Sequence, residues 1–279
     1  MSASPDIAAE KKPSSQALLT VRAGVRRVQG GVMRIVDAIL PPRCPSCGEE
    51  VEATGLICGK CWPDLRIMEP PWCQCCGVAF DFEGHKDDRC LDCLSQPPAF
   101  DHARAAFAYE GVARQLVLGL KHADKLFLAP FLAPWLGRAV AAIPELPAGS
   151  IQVVPVPLHW RRMISRKHNQ SAELARNLVR WHGRQGAATD RPVLHYEPLL
   201  VRRRRATPPQ GSPKAPSRRM NIRGAFEVTR PAKVANAHIL IVDDVMTTGA
   251  TVNELAKTLK RAGAARVDVV TVTRVGLND

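Results

Sequence analysis

Aromatic residues are scarce in this chain of 279 residues: they make up 5% of it, and only two are tyrosines. Aliphatic side chains must therefore fill most of the core, within a hydrophobic fraction of 46%. No stretch reaches the roughly 18 consecutive apolar residues of a membrane span, so we expect no transmembrane segment. Residues 1–16 carry no secretory pattern, and we expect a disordered tail there and a cytoplasmic location.

Acidic residues are the minority charge, with 26 Asp and Glu against 39 Lys and Arg, for a formal net charge of +13. A basic balance of this size favours an anionic ligand, which could be nucleic acid, phosphate or pyrophosphate. The charge does not choose among them. The length predicts one large domain with a smaller module.

Apolar residues recur at spacings of three and four over residues 17–40, with arginines among them. The spacing predicts an amphipathic helix. Three interpretations stay open for this helix: a packing helix, a mitochondrial-type presequence and a helix lying on a membrane surface.

Cysteine is absent outside residues 44–93, where all nine cysteines lie, eight of them in four Cys-x-x-Cys pairs. Two such pairs build one tetrahedral zinc site. The absence of a secretory pattern makes a disulfide framework the less favoured interpretation. Sequential pairing predicts two structural zinc ions in a double zinc ribbon over residues 41–96, with Cys75 as a bystander; interleaved pairing would need longer loops. The predicted ligands are Cys44, Cys47, Cys58, Cys61, Cys73, Cys76, Cys90 and Cys93.

Strands alternate with helices after the cysteine-rich module. We predict strands at 102–110, 151–159, 224–228, 238–242 and 267–275, and helices within 111–143 and at 169–183 and 251–264. The alternation predicts an α/β domain over residues 97–279, with a parallel sheet flanked by helices. Ligands of such sheets bind beyond the carboxyl ends of the strands, so the segments after Val156 and Val242 are the candidate site.

The stretch ILIVDDVMTTGAT, residues 239–251, joins a buried strand to a helix. Small residues at a helix start allow backbone N–H groups to bind a phosphate. Adjacent acids suit the vicinal hydroxyls of a sugar instead. The stretch therefore predicts a sugar-phosphate site, although a plain helix cap with dipole-favouring acids is the simpler alternative.

This stretch closely resembles the phosphoribosyl-pyrophosphate signature of type I phosphoribosyltransferases. With the cysteine-rich N-terminus, the chain resembles the ComF (competence protein F) family, which joins a double zinc ribbon to a phosphoribosyltransferase-like domain. The resemblance implies that Asp243 and Asp244 hold the ribose hydroxyls and that phosphoribosyl pyrophosphate arrives with magnesium. It assigns the 5′-phosphate to Val245, Met246, Thr247, Thr248, Gly249, Ala250 and Thr251.

A second stretch resembles the family segment that ends in Arg-Gly-Phe-Asn-Gln. Arg166, Asn169 and Gln170 match it, whereas Lys167 and His168 stand where glycine and phenylalanine are usual. This departure bears on the local backbone shape and not on the fold.

Residues 201–224 hold eight basic residues and no acid, and they resemble the family's flexible loop. Three interpretations stay open: a solvated mobile loop, a lid that closes on pyrophosphate, and a nucleic-acid contact. The candidate pyrophosphate contacts are Lys121, Val156, Pro157, Arg202 and Arg203.

Whether the chain is an enzyme stays open at this point, and no catalytic residue is assigned. An enzyme would transfer phosphoribosyl to a nitrogen acceptor. The alternatives are a non-catalytic competence or recombination factor that binds single-stranded DNA or DNA-processing proteins, and a sensor of phosphoribosyl pyrophosphate.

Overall fold

The computed structural model describes residues 41–53, 55–81, 88–120, 125–147, 149–158, 168–186, 191–205 and 222–276. Several predictions from the sequence lie outside the described residues: the tail at 1–16, the helix at 17–40, Lys121, and Arg166 with Lys167. Among the described residues, no helix is both long and apolar enough to cross a membrane.

Five parallel strands form the central sheet, in the order β1-β7-β6-β2-β3, and β4 and β5 pair separately as an antiparallel hairpin. The strands are β1 (Ala103–Ala108), β2 (Ser150–Pro155), β3 (Val193–Tyr196), β4 (Val201–Arg203), β5 (Phe226–Val228), β6 (His238–Met246) and β7 (Arg266–Arg274). The predicted parallel sheet is therefore confirmed.

Helices cover the sheet and the connections between strands. The described helices are α1 (Leu91–Ser95), α2 (Gly111–Gly119), α3 (Leu128–Ala141), α4 (Gln170–Arg184), α5 (Pro231–Val234) and α6 (Ala250–Arg261). Pro134 lies inside α3, while Pro130 falls in its first turn, where a missing N–H costs no intrahelical bond. Each long helix buries one apolar face against the strands, as the spacing of its apolar residues predicts.

Strand β6 is the middle strand of the sheet, and its residues Ile239 to Val242 are fully buried. The prediction that this strand ends at Val242 was wrong by four residues. Asp243 stays in register with Thr271 of β7, and Met246 with Arg274. The paired acids therefore belong to the end of a strand, which holds their backbone more firmly than a loop would.

The two ends of the predicted loop at 201–224 are ordered. The sequence prediction missed β4, which pairs with β5 from Val201 opposite Val228 to Arg203 opposite Phe226. The backbone N–H of Gly224 also donates a 2.7 Å hydrogen bond to Glu254 Oε1 on α6. Residues 206–221 lie outside the described residues, so the remainder of the loop prediction stays a prediction.

The cysteine-rich module covers the free edge of the sheet at β1. Ile67 forms an antiparallel bridge with Phe107, and the N–H of Met68 donates to the carbonyl of Ala106 at 2.9 Å. This pairing blocks an edge that could otherwise recruit another strand.

The two halves of the module pack on different apolar clusters. Cys44, Cys58 and Cys61 belong to the cluster that contains α2, α3 and the core of α4. The cysteines from Cys73 to Cys93 belong to the cluster built on α6. The two clusters lie on opposite sides of the sheet, so the module spans its edge.

Candidate functional site

The carboxyl ends of β2 and β6 meet at one edge of the sheet. Pro155 is in register with Val242, and the N–H of Val156 donates to the carbonyl of Val242 at 3.0 Å. The two segments that the sequence singled out therefore adjoin each other, as a parallel sheet requires. Val156 is buried and Pro157 half-buried at this mouth.

Asp243 and Asp244 lie half-buried at the end of β6. Asp243 Oδ1 accepts hydrogen bonds from Ser171 Oγ at 2.8 Å and from the N–H of Asp244 at 3.0 Å. Asp244 Oδ1 accepts from the N–H of Val245 at 2.8 Å. Burial and the neighbouring charge of Asp244 raise the pKa of Asp243 to about 8, against the hydrogen bonds from Ser171 and the Asp244 backbone, which lower it. The site thus holds two coupled acids that do not readily carry two negative charges.

The start of α4 is fixed against this mouth by Asn169. Its side chain caps the helix by accepting from the N–H of Ser171 at 3.1 Å, and its amide donates to the carbonyl of Val156 at 3.1 Å. One side chain thus connects the end of β2 to the helix that carries Ser171. Sequence reasoning identified Asn169 but missed Ser171.

His168 explains how the chain accommodates a departure from the family segment. The ring is 8% exposed, and Nε2 lies 2.9 Å from the carbonyl of Leu120. A buried aromatic ring with a polar partner occupies the position where phenylalanine is usual. The substitution therefore keeps the packing role and adds one hydrogen bond.

The threonine turn, residues 247–251, connects β6 to α6. Gly249 precedes α6 with a φ of +71°, and a Cβ there would lie 2.8 Å from Met246 Cε. The backbone N–H of Ala250 donates a hydrogen bond to Thr248 Oγ1, with an N···O distance of 3.4 Å. The first N–H groups of a helix have no intrahelical acceptor and carry partial positive charge, so this turn has the character of an anion site.

Val245 and Met246 lie within β6 rather than in the turn. Val245 is in register with Thr273, and Met246 is 3% exposed. Both residues therefore belong to the strand that immediately precedes the turn. Thr247 and Thr251 are half-buried and Thr248 is exposed.

Arg202 and Arg203, two of the predicted pyrophosphate contacts, each contact a residue of β5. Arg202 Nε donates to Glu227 Oε2 at 2.8 Å. The guanidinium of Arg203 lies over the ring of Phe226, 5.6 Å from its centroid. The hairpin holds both side chains, and their role toward a ligand stays a prediction.

Eight of the cysteines form two sets of four. Within each set, the four sulfurs all lie within 4.8 Å of one another. This grouping matches the sequential pairing predicted from the sequence. The first cysteine set is Cys44, Cys47, Cys58 and Cys61, and the second cysteine set is Cys73, Cys76, Cys90 and Cys93.

Both sets fit a tetrahedral zinc ion, for which Zn–S bonds of about 2.3 Å place sulfurs about 3.8 Å apart. Cys47 and Cys58 have sulfurs 3.4 Å apart, and those of Cys76 and Cys90 are 3.7 Å apart. In the second cysteine set, hydrogen bonds from Cys76 and Cys93 hold the pKa of Cys73 far below its usual range. A thiolate is the form that binds zinc.

Comparison with known proteins agrees with this architecture. The sequence matches the double zinc ribbon domain over residues 35–94 and the phosphoribosyl transferase domain over residues 161–276. It is 33% identical over 216 residues to "DNA utilization protein YhgH" of Salmonella typhi, covering 76% of this chain and 88% of the relative. It is 28% identical over 234 residues to "Competence protein F" of Haemophilus influenzae, covering 81% and 94%.

A glutamine phosphoribosylpyrophosphate amidotransferase from B. subtilis, complexed with ADP and GMP, is a more distant structural neighbour. It is 17% identical, with a TM-score of 0.33, and the match covers 56% of this chain and 30% of that one. A similarity of this size carries no argument about function.

The fold and the two cysteine sets define a class of protein, in which a double zinc ribbon is joined to a phosphoribosyltransferase-type domain. Within that class, the chain belongs to the ComF family, together with competence protein F and DNA utilization protein YhgH.

Proposed function

We propose that the chain binds phosphoribosyl pyrophosphate with magnesium at the carboxyl ends of β2 and β6. The observation that carries this proposal is the juxtaposition of two coupled carboxyl groups with the start of a helix. Asp243 and Asp244 end β6, and α6 begins at Ala250. A ligand with a diol at one end and a phosphate at the other fits this pair of subsites.

Asp243 and Asp244 would accept hydrogen bonds from the ribose 2- and 3-hydroxyls. Ser171 and Asn169 orient the receiving carboxylate through the contacts that join α4 to β6 and β2. The N–H groups of the threonine turn would bind the 5′-phosphate, with hydroxyl donors from Thr247, Thr248 and Thr251. Val156 and Pro157 stand beside the acids, where the pyrophosphate would lie.

Magnesium fits this donor set as a partner of the ligand rather than as an ion in a protein cage. Among the described residues, the groups of three or more metal-ligating side chains are the two cysteine sets. Magnesium usually takes one or two carboxylates together with substrate phosphates and water, and Asp243 and Asp244 supply that number. When bound, the ion would neutralise charge on the leaving pyrophosphate.

We further propose that the chain transfers the phosphoribosyl group. The bond between the anomeric carbon and pyrophosphate breaks, and a nitrogen nucleophile forms the new bond to that carbon. Positive charge develops on the ribose, as in other glycosyl transfers. In this proposal, the carboxyl groups of Asp243 and Asp244 would stabilise that charge.

A second candidate function is a non-catalytic role in handling single-stranded DNA. It is favoured by exposed arginines around the β4–β5 hairpin, among them Arg204, Arg205 and Arg223, and by the names of the relatives. A strip of exposed cations binds nucleic-acid phosphates with a steep dependence on salt.

The grouping of the cysteines into metal-type sets also fits a reducing compartment such as the cytoplasm.

Pyrophosphate release distinguishes the two functions. The full chain would be incubated with phosphoribosyl pyrophosphate, magnesium and each of a panel of nitrogenous bases. We expect release with at least one base and none when magnesium is chelated. Absence of release with every base, together with single-stranded DNA binding that weakens steeply with salt, would favour the non-catalytic function.

A further inference from the structure

Arg274 is a buried charged residue at the carboxyl end of β7. It is the last residue of β7 and is 8% exposed. Its backbone is in register with Met246 on β6 and with Ala108 on β1. A buried guanidinium requires acceptors for its donors, and those acceptors lie on two distinct parts of the molecule.

The first group of acceptors lies at the threonine turn. Arg274 Nη1 donates to the carbonyl of Met246 at 3.3 Å and to the carbonyl of Thr247. It also donates to the carbonyl of Val275 at 2.8 Å, and the N–H of Val275 donates back to the carbonyl of Met246 at 3.0 Å. The guanidinium therefore fixes the peptide groups from which the turn begins.

The second group of acceptors belongs to Cys76, a member of the second cysteine set. Arg274 Nε lies 3.4 Å from the carbonyl of Cys76, and Nη2 donates to Cys76 Sγ at 3.8 Å. When four thiols become thiolates around one divalent zinc ion, the site carries net negative charge. A guanidinium beside one sulfur is then a charge-assisted donor that also neutralises part of this charge.

We propose that Arg274 is a positioning residue that couples metal binding at the second cysteine set to the conformation of the threonine turn. With zinc bound at this set, Cys76 would be a thiolate and would orient the planar guanidinium that donates to it. The guanidinium then orients the carbonyls of Met246 and Thr247, and with them the N–H groups that follow. The consequence for phosphoribosyl pyrophosphate rests on the function proposed above, whereas the coupling itself does not.

The coupling is specific to one of the two cysteine sets. The first cysteine set packs in the other apolar cluster, with α2 and α3. A different arginine serves the linker between the sets, where Arg138 donates to the carbonyl of Met68 at 3.2 Å and to Glu69 at 2.9 Å. The chain thus offers a matched control, because Arg138 also joins the module to the domain but reaches no part of the turn.

Amide hydrogen exchange on the zinc-loaded full chain tests the coupling without any ligand. Arg274→Gln keeps all eight zinc ligands and removes the charged fork, while Arg138→Gln is its control. We expect exchange at residues 247–251 to become about tenfold faster in Arg274→Gln, the effect of losing one hydrogen bond to a charged group. In Arg274→Gln, exchange within α3 should not change. In Arg138→Gln, exchange in the turn should match that of the wild type.

Metal removal provides the reciprocal test. Cys76→Ser should accelerate exchange in the turn as Arg274→Gln does, and Cys47→Ser in the first cysteine set should not. Arg274→Gln should also accelerate zinc release by about 10-fold to 100-fold for one of the two ions, the usual effect of removing a partner of a metal ligand. Arg274→Lys should restore part of the protection, because an ammonium donates to the carbonyls without the planar fork.

Two results would overturn the coupling: equal exchange in the turn for Cys76→Ser and Cys47→Ser, or unchanged exchange and zinc release in Arg274→Gln. Neither readout involves phosphoribosyl pyrophosphate. A wild-type chain that fails to bind that ligand would therefore refute the proposed function while leaving these two measurements decisive for Arg274.

Discussion

Ser171 Oγ donates a 2.8 Å hydrogen bond to Asp243 Oδ1, joining the start of α4 to the end of β6. This bond lowers the pKa of a carboxyl group that burial and Asp244 raise to about 8. A residue 72 positions away in the sequence therefore favours the ionised form of Asp243, against burial and the charge of Asp244. Ligand binding should therefore depend on pH through this carboxyl group.

We predict that affinity for phosphoribosyl pyrophosphate rises with pH up to about 8 and levels off above it. The free site holds a proton on Asp243 below that pH, and ribose hydroxyls that donate to a carboxylate require the proton to leave. Ser171→Ala removes a bond that lowers the pKa, so the rise should shift to higher pH. Titrations from about pH 6 to about pH 9 check both statements; identical profiles for the two proteins would contradict the second.

Gly249→Ala should weaken ligand binding. Gly249 has a φ of +71°, and its Cβ would meet Met246 Cε at 2.8 Å. Holding a residue other than glycine in this conformation costs about 1–3 kcal/mol, so the turn should relax away from its present shape. Calorimetric titration measures the affinity and urea unfolding measures the stability.

Gly183→Ala is the control for that prediction. Gly183 lies inside α4, and a Cβ added there would meet no neighbouring atom within 4 Å. Alanine there should stabilise the chain by about 0.5–1 kcal/mol and leave binding unchanged. Equal effects of the two substitutions on affinity would show that the turn's backbone shape is unimportant.

Zinc content should be two ions per chain, one for each cysteine set. Cys73→Ser should reduce it to one, because Cys73 accepts hydrogen bonds from the N–H groups of Cys76 and Cys90 at the centre of the second cysteine set. Cys75→Ser should retain two, because Cys75 lies outside both sets. Native mass spectrometry counts the ions; a loss of zinc in Cys75→Ser would show that Cys75 is a ligand.

Asp268→Asn should destabilise the fold by about 3–5 kcal/mol, the cost of breaking a buried charge pair. Asp268 is fully buried and accepts from Arg266 Nε at 2.7 Å, with His238 Nε2 also at 2.7 Å. Burial opposes its ionisation, but hydrogen bonds from His102, His238 and Arg266 outweigh burial and hold its pKa below the usual range.

The pH dependence of this contribution follows from the lowered pKa. The stabilisation is fully present above the ordinary carboxyl pKa of about 4 and is lost as the pH falls through the lowered value. Urea unfolding across that range measures it. Glu227→Gln is the control, since the exposed pair of Glu227 with Arg202 should contribute little; an equal loss in both variants would refute the account of Asp268.

Local spacing explains which features the sequence could predict. The two cysteine sets follow from Cys-x-x-Cys pairs closed over short loops, and the central strand follows from four consecutive apolar residues before Asp243. The sequence prediction missed β3 and β4, whose four and three residues leave little room for a periodicity to appear, although it did identify the equally short β5.

Long-range contacts explain what the sequence could not predict. Ser171 and Arg274 matter through partners that only the sheet topology brings near, 72 residues away for Asp243 and 198 for Cys76. A charged residue at the end of the valine-rich strand that contains Val270 and Val272 was the one available signal for Arg274. The packing of the two cysteine sets on opposite sides of the sheet had no counterpart in any local pattern.

Calorimetric titration of the full chain with phosphoribosyl pyrophosphate and magnesium tests the central claim most directly. We predict one magnesium-dependent site in the wild type and in Asp64→Asn, an exposed control on the zinc ribbon. Asp243→Asn combined with Asp244→Asn should abolish detectable binding, because each lost charge-assisted hydrogen bond is worth about 1.5–3 kcal/mol. A wild-type chain that does not bind, or a double variant that binds as the wild type does, would contradict the account.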